Sequence, residues 1–184
     1  GNYSEDEELE RHTCPNSGDT ETETAASIQE CFKTGQPYTA TNGSGTQRCF
    51  YSSGEGTSAI YARECDSQKI DACRAGYYLA DTSDIDCSEV GNNFYSEKDD
   101  INRYECPADG KTDSTTAESI LLCNKDGRPY VAEHGAGEQM CYYTSGEGDD
   151  AVYASSCEDI TITSCDAGYY YDSSLQTDCT AVGV

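Results

Sequence analysis

The sequence predicts a small disulfide-rich protein, mainly β with irregular loops and short helical turns, built as two tandem 92-residue repeats in an elongated rod. Three observations predict it. The 184 residues include 12 cysteines; only 35% are hydrophobic, with no tryptophan and one methionine; and a displacement of 92 positions superposes every cysteine without a gap. So little apolar material cannot fill a conventional core, and domains in that position rely on covalent staples that persist only in oxidising compartments. The expected location is therefore extracellular, secreted or at the cell surface.

The repeat aligns Cys14 with Cys106, Cys31 with Cys123, Cys49 with Cys141, Cys65 with Cys157, Cys73 with Cys165, and Cys87 with Cys179. Of the 92 aligned pairs, 41 are identical. The domains expected are thus residues 1–92 and 93–184, sharing one fold and one disulfide pattern, as in stacked repeat arrays. The junction Val90-Gly91-Asn92-Asn93-Phe94-Tyr95-Ser96 has the same frame as Val182-Gly183-Val184 followed by Gly1-Asn2-Tyr3-Ser4. This phase suggests a window cut from a longer array; a two-repeat protein is the alternative. The acidic first residues do not resemble a signal peptide, so the chain is expected to be a mature piece.

Each repeat reads in order as follows. An acidic stretch leads to Cys14-Pro15, and Asn16-Ser17-Gly18-Asp19 supplies turn residues. Thr24 to Glu30, matched by Thr116 to Leu122, has helix formers behind a threonine cap and predicts one or two helical turns. Pro37–Ala40 and Gln47–Ser52 predict a hairpin around the glycine-rich Asn42–Gly45 turn. Cys49–Ser53 returning as Tyr61–Cys65 predicts a second, with Cys49 opposite Cys65 and Tyr51 opposite Arg63. Cys73 to Cys87 forms a short loop closed by its own cysteines.

Sequential pairing, Cys14 to Cys31, Cys49 to Cys65 and Cys73 to Cys87, would close loops of similar size. Each would contribute about 3 kcal/mol by chain entropy. Six cysteines allow 15 pairings, and one joining Cys65 to Cys73 stays open. No two neighbouring cysteines of the first repeat lie closer than eight positions, which is unlike the close ligand pairs of structural zinc sites.

Cys73-Arg74-Ala75-Gly76-Tyr77-Tyr78 and Cys165-Asp166-Ala167-Gly168-Tyr169-Tyr170 resemble the C-x-x-G-Y-Y elements of ephrin-receptor-like and tumour-necrosis-factor-receptor-like cysteine-rich modules. Cys106-Pro107 with Gly110 and Thr112, mirrored by Cys14-Pro15 with Gly18 and Thr20, is similar to the C-P-x-G-x-Y/T element of the same modules and of tandem-repeat surface proteins. The resemblance covers about half of each repeat; the stretch around Cys49 and Cys65 departs from it. It implies an extended rod of stapled modules on a cell surface, used for display, adhesion or ligand contact.

The charge of −24, spread over both repeats, opposes nucleic acid and anionic membranes as partners. No apolar run reaches membrane-spanning length, so no membrane insertion is expected in this segment. The two histidines, His12 and His134, have Tyr104 and Asn42 as counterparts, and no nucleophile and base pair can be named. No enzyme activity, catalytic residue or cofactor is expected. Asp81, Asp84 and Asp86 offer the oxygen chemistry calcium prefers, but their counterparts are Ser173, Gln176 and Asp178, so no metal site is expected. Asn2 and Asn42 each begin an N-glycan acceptor triplet that their counterparts lack. Tyr38, Tyr51, Tyr61, Tyr77 and Tyr78 all recur and are expected to pack over disulfides and glycines.

These features point to a structural segment of an extracellular filament, stalk or adhesin. Its partners would be copies of itself head to tail or further repeats of the same chain, with surface ligands or glycans besides. Val90, Gly91, Val182 and Gly183 are the expected inter-repeat contacts. The alternative is a receptor-like ligand-binding ectodomain whose specificity lies in loops that differ between repeats, 66–69 against 158–161.

Overall fold

The computed structural model describes residues 1–174 and 177–183. Gln176 and Val184, which enter the comparisons above, lie outside the described residues. Contacts group the chain into two compact units, Gly1–Cys73 with Leu79–Ser88, and Arg74–Tyr78 with Glu89–Val184. The described residues are mainly strand with short 3-10 turns and no long helix. No helix among them is long and apolar enough to cross a membrane.

In the first unit, Phe32–Thr39, Gly43–Ser53 and Ile60–Cys73 form an antiparallel three-stranded meander. Ala40 N–H donates to Gly43 O at 3.0 Å and closes the first hairpin. Tyr51 faces Tyr61, whereas Phe50 faces Arg63, so the predicted pairing of Tyr51 with Arg63 is corrected. The cause is irregularity in the returning strand, where Glu64 adopts a positive φ and the register shifts on both sides of Phe50. Extra residues of this kind shift the register and sharpen the twist. Residues 66–69 and 158–161, read from the sequence as loops, likewise lie inside the long strands Ile60–Cys73 and Val152–Cys165.

The predicted helix from Thr24 shrinks to a single 3-10 turn, Ile28–Glu30, capped by Ser27 whose Oγ accepts from Gln29 N–H. Cys31 ends it, because its half-cystine is tied to Cys14 and the strand starts at the next residue. The second unit matches with Ser119 capping Ile120–Leu122. It carries the meander Cys123–Val131, Gly135–Ser145 and Val152–Cys165, with Lys111–Thr112 added at the edge.

The disulfides are Cys14–Cys31, Cys49–Cys65 and Cys73–Cys87, then Cys106–Cys123, Cys141–Cys157 and Cys165–Cys179. Such a set belongs to an oxidising compartment. Nine of the twelve half-cystines are themselves buried. Cys14, Cys31, Cys49, Ala59 and Tyr61 are the buried cluster of the first unit, and Cys106, Cys123, Cys141 and Tyr153 that of the second.

The tyrosine at the centre of each cluster is fixed at both ends. Tyr61 and Tyr153 meet Tyr51 and Tyr143 edge to face, each pair 6.0 Å between centroids. Their hydroxyls donate to Pro15 O at 2.5 Å and Pro107 O at 2.6 Å. Gly18 and Gly110, read from sequence as turn residues, have ordinary φ of −65°. They are glycines for space: a Cβ at either position would lie 2.1 Å from the tyrosine hydroxyl oxygen.

Candidate assembly interface

One feature of the second unit is a seat that receives a segment from earlier in the chain. The seat is built from Phe94–Tyr95, which pairs with Tyr104–Glu105, and from the irregular stretch 112–117. A parallel bridge between Tyr95 and Ala117 and the bond from Ser96 N–H to Ala117 O at 3.1 Å hold these together. Ser96 and Ala117 are buried.

Into the seat fits Arg74–Tyr78 together with Val90 and Gly91. Gly76 N–H donates to Ser96 O at 2.9 Å, and Gly91 N–H donates to Thr115 O at 3.0 Å. Arg103 Nη1 donates to Val90 O at 2.9 Å, and its guanidinium lies between the rings of Tyr78 and Phe94, 4.4 and 4.3 Å from their centroids. Thr115 Oγ1 donates to Glu89 at 2.6 Å. Val90 is 0% exposed. The approach at Gly76 is so close that a Cβ would lie 2.4 Å from Thr116 O.

The inserted segment is ordered by its own bonds. Tyr77 N–H donates to Arg74 O at 3.1 Å and Val90 N–H to Gly76 O at 3.1 Å. At the other end of the second unit the same residues recur as Ala167-Gly168-Tyr169-Tyr170 and Val182-Gly183, with Tyr169 N–H to Asp166 O at 3.0 Å and Val182 N–H to Gly168 O at 2.9 Å. Here Gly168, Tyr170, Val182 and Gly183 are open to solvent, while Tyr169 stacks on His134 at 4.0 Å between ring centroids. Val182 is 61% exposed and Tyr170 48%, and among the described residues nothing comes within 4 Å of a Cβ at Gly168.

The first unit carries the matching seat as an open recess of about 840 Å³, lined by Tyr3, Ser4, Arg11, Thr20, Thr24 and Ala25 among others. Each of these six has an identical residue at the corresponding place in the filled seat. Two bonds of its framework have counterparts here, with Ser4 N–H donating to Ala25 O at 3.1 Å and Cys14 N–H to Gly1 O at 3.0 Å. Burial raises the pKa of both Tyr3 and Tyr95, so these phenols stay protonated.

The remaining sequence candidates fall elsewhere. Asn42 sits in the hairpin turn, where its Nδ2 donates to Cys87 O at 3.5 Å; Asn2 lines the recess. The carboxylates of Asp81, Asp84 and Asp86 are occupied by local bonds: Asp81 accepts from Ser83, Asp84 from Asp81 N–H, and Asp86 from Asn42 and Cys87 N–H. Backbone donation to Asp81 from Ser83 holds its pKa below the usual carboxylate value. Among the described residues the one three-ligand grouping is Glu133, His134 and Asp178, with ligand atoms within 4.8 Å of one another. Asp178 already accepts from His134 and Cys179 N–H, as Asp86 does from Asn42 and Cys87, so its role is to pin the hairpin turn to the last disulfide.

Sequence reading placed the junction at Val90, Gly91, Val182 and Gly183 but did not find Arg103 or Gly76 as seat contacts. The signal was present: Arg11 and Arg103 are the only pair of arginines in register between the repeats. No protein-family model, curated protein or solved structure matches the chain.

Proposed function

We propose that the chain is a structural segment or subunit of an extracellular filament, stalk or surface adhesin built from tandem disulfide-stapled repeats. The observation that supports this best is that one Gly-Tyr-Tyr segment with its following Val-Gly sits in a seat of the second unit with Gly76 and Val90 buried, while Gly168 and Val182 of the recurring segment are exposed. Repeats joined through such a segment would extend in one dimension, each covering one copy of the segment and presenting the next. The disulfides keep each module folded outside the cell, and the net charge of −24 keeps neighbouring rods apart. In this reading the chain's partners are further repeats or copies of itself, and the acidic outer faces remain available for display, ligands or glycans. Electron microscopy of the native material tests it. Fibres with a periodic repeat are expected; compact particles the size of a single chain at every concentration would overturn it.

A further inference from the structure

We infer that the recess of the first unit is a docking site for the Asp166–Tyr170 and Val182–Gly183 segment of a second copy of the 184-residue chain, so that such copies associate head to tail. The inference rests on the filament reading and gives it a specific joint.

Three observations carry it. The first is chemical identity: Tyr3, Ser4, Arg11, Thr20, Thr24 and Ala25 repeat the residues of the filled seat, and Ala167-Gly168-Tyr169-Tyr170 with Val182-Gly183 repeats the segment that fills it. The second is exposure, since the position that is 0% exposed as Val90 is 61% exposed as Val182. The third is preorganisation: in the open copies Ser4 N–H already donates to Ala25 O, Tyr169 N–H to Asp166 O and Val182 N–H to Gly168 O. Little ordering entropy then opposes association.

The filled seat dictates the contacts. Gly168 N–H donates to Ser4 O, Gly183 N–H donates to Glu23 O, and the Arg11 guanidinium donates to Val182 O while stacking on Tyr170. Asn2 replaces Phe94, so Arg11 is stacked on one face only. Because the two surfaces differ, each joint leaves one of each kind free, and the assembly is open-ended. Both carry acidic residues, Asp19, Glu21 and Glu23 around the recess and Asp166 on the segment. Association therefore strengthens as salt screens this repulsion.

The test is sedimentation of the purified 184-residue chain over a range of concentrations and salt, with two variants whose circular dichroism and disulfide content match the parent. Val182→Asp removes the inserted face; a buried unpaired carboxylate should weaken association by about a hundredfold or more. Arg11→Glu removes the recess contact; loss of a charged hydrogen bond should weaken it by about tenfold or more. The parent should form species of increasing length, each variant alone should stay monomeric at concentrations where the parent polymerises, and a mixture of the two should stop at dimers. That last result follows because each variant retains one intact half. A parent that stays monomeric at millimolar concentration, or variants that polymerise like the parent, would overturn the docking site. Native fibres alongside a monomeric parent would leave the filament reading standing with covalent joints only; parent polymers without native fibres would leave the docking site standing and remove the filament.

Discussion

Placing a methyl group on Gly76 or on Gly168 separates the conformational demand of the Gly-Tyr-Tyr turn from the demand of the seat. The two residues have nearly the same backbone, φ +80° and +91°, so an alanine at either pays about 1–2 kcal/mol for the left-handed conformation. Among the described residues, only at Gly76 does the new Cβ meet the chain, 2.4 Å from Thr116 O and 2.8 Å from its carbonyl carbon. That carbonyl has little freedom to withdraw, because Thr115 O and Ala117 O on either side are bonded to Gly91 and Ser96. Overpacking of this kind adds about 1–3 kcal/mol. Gly76→Ala should therefore lose about 2–5 kcal/mol and Gly168→Ala about 1–2 kcal/mol. Urea unfolding with disulfides intact, followed by tyrosine fluorescence at a concentration where the chain is monomeric, measures both. Equal losses would mean that Gly76 serves only its own turn and that the seat is not tightly packed.

Gly110→Ala tests the second use of glycine. With an ordinary φ and a Cβ 2.1 Å from the Tyr153 hydroxyl, it should lose about 1–3 kcal/mol by displacing that ring, and a melting curve unchanged from the parent would refute the steric reading. Asn124 is 0% exposed, and neither its Oδ1 nor its Nδ2 has a hydrogen-bond partner among the described residues. Asn124→Leu should gain about 1–3 kcal/mol in the same urea assay, and a loss would show that the amide is bonded after all. In alkali, Tyr61, Tyr95 and Tyr153 are raised by burial and Tyr142 is pushed up to about 12, first by its hydrogen bond to Asp113. The folded state holds these protons more firmly than the unfolded chain, whose tyrosines titrate near 10. Their contribution to stability is thus complete below pH 10 and is lost as pH rises from there towards 12. Absorbance titration of Tyr142→Phe should lack the latest phase; an unaltered curve would count against the Asp113 pairing.

Much of this architecture was written in the spacing of the cysteines. Short, similar loops between Cys14 and Cys31, Cys49 and Cys65, and Cys73 and Cys87 match a chain that folds locally, and the Cys-Phe-Tyr run inside Gln47–Ser52 marks a strand. Details that depend on tertiary context were not legible. Nothing in the composition of 24–30 says that Cys31 must leave the helix to meet Cys14, and propensity alone overstates the turn there. Register shifts on both sides of Phe50, one of them at Glu64, displace Tyr51 from Arg63 to Tyr61, and two-residue periodicity cannot foresee them. Gly18 reads as a turn residue because the ring that excludes a side chain there, Tyr61, lies 43 positions away in sequence. At the junction, Val90, Gly91 and Arg103 all recur in register, but that the segment bonds to Ser96, Arg103 and Thr115 becomes visible only once the second unit is folded.

Cross-links in place of an apolar interior are the premise beneath all of this, and reduction tests it most directly. The bridged cysteines are separated by 14 to 17 positions, which corresponds to about 3 kcal/mol for each closed loop. Three such loops amount to about 9 kcal/mol per unit, comparable with the whole stability of an ordinary domain. Near-ultraviolet circular dichroism of the native chain and of the fully reduced, alkylated chain, without denaturant, should show ordered tyrosines in the first and none in the second. A reduced chain that keeps the native tyrosine spectrum and still unfolds cooperatively in urea would contradict the account.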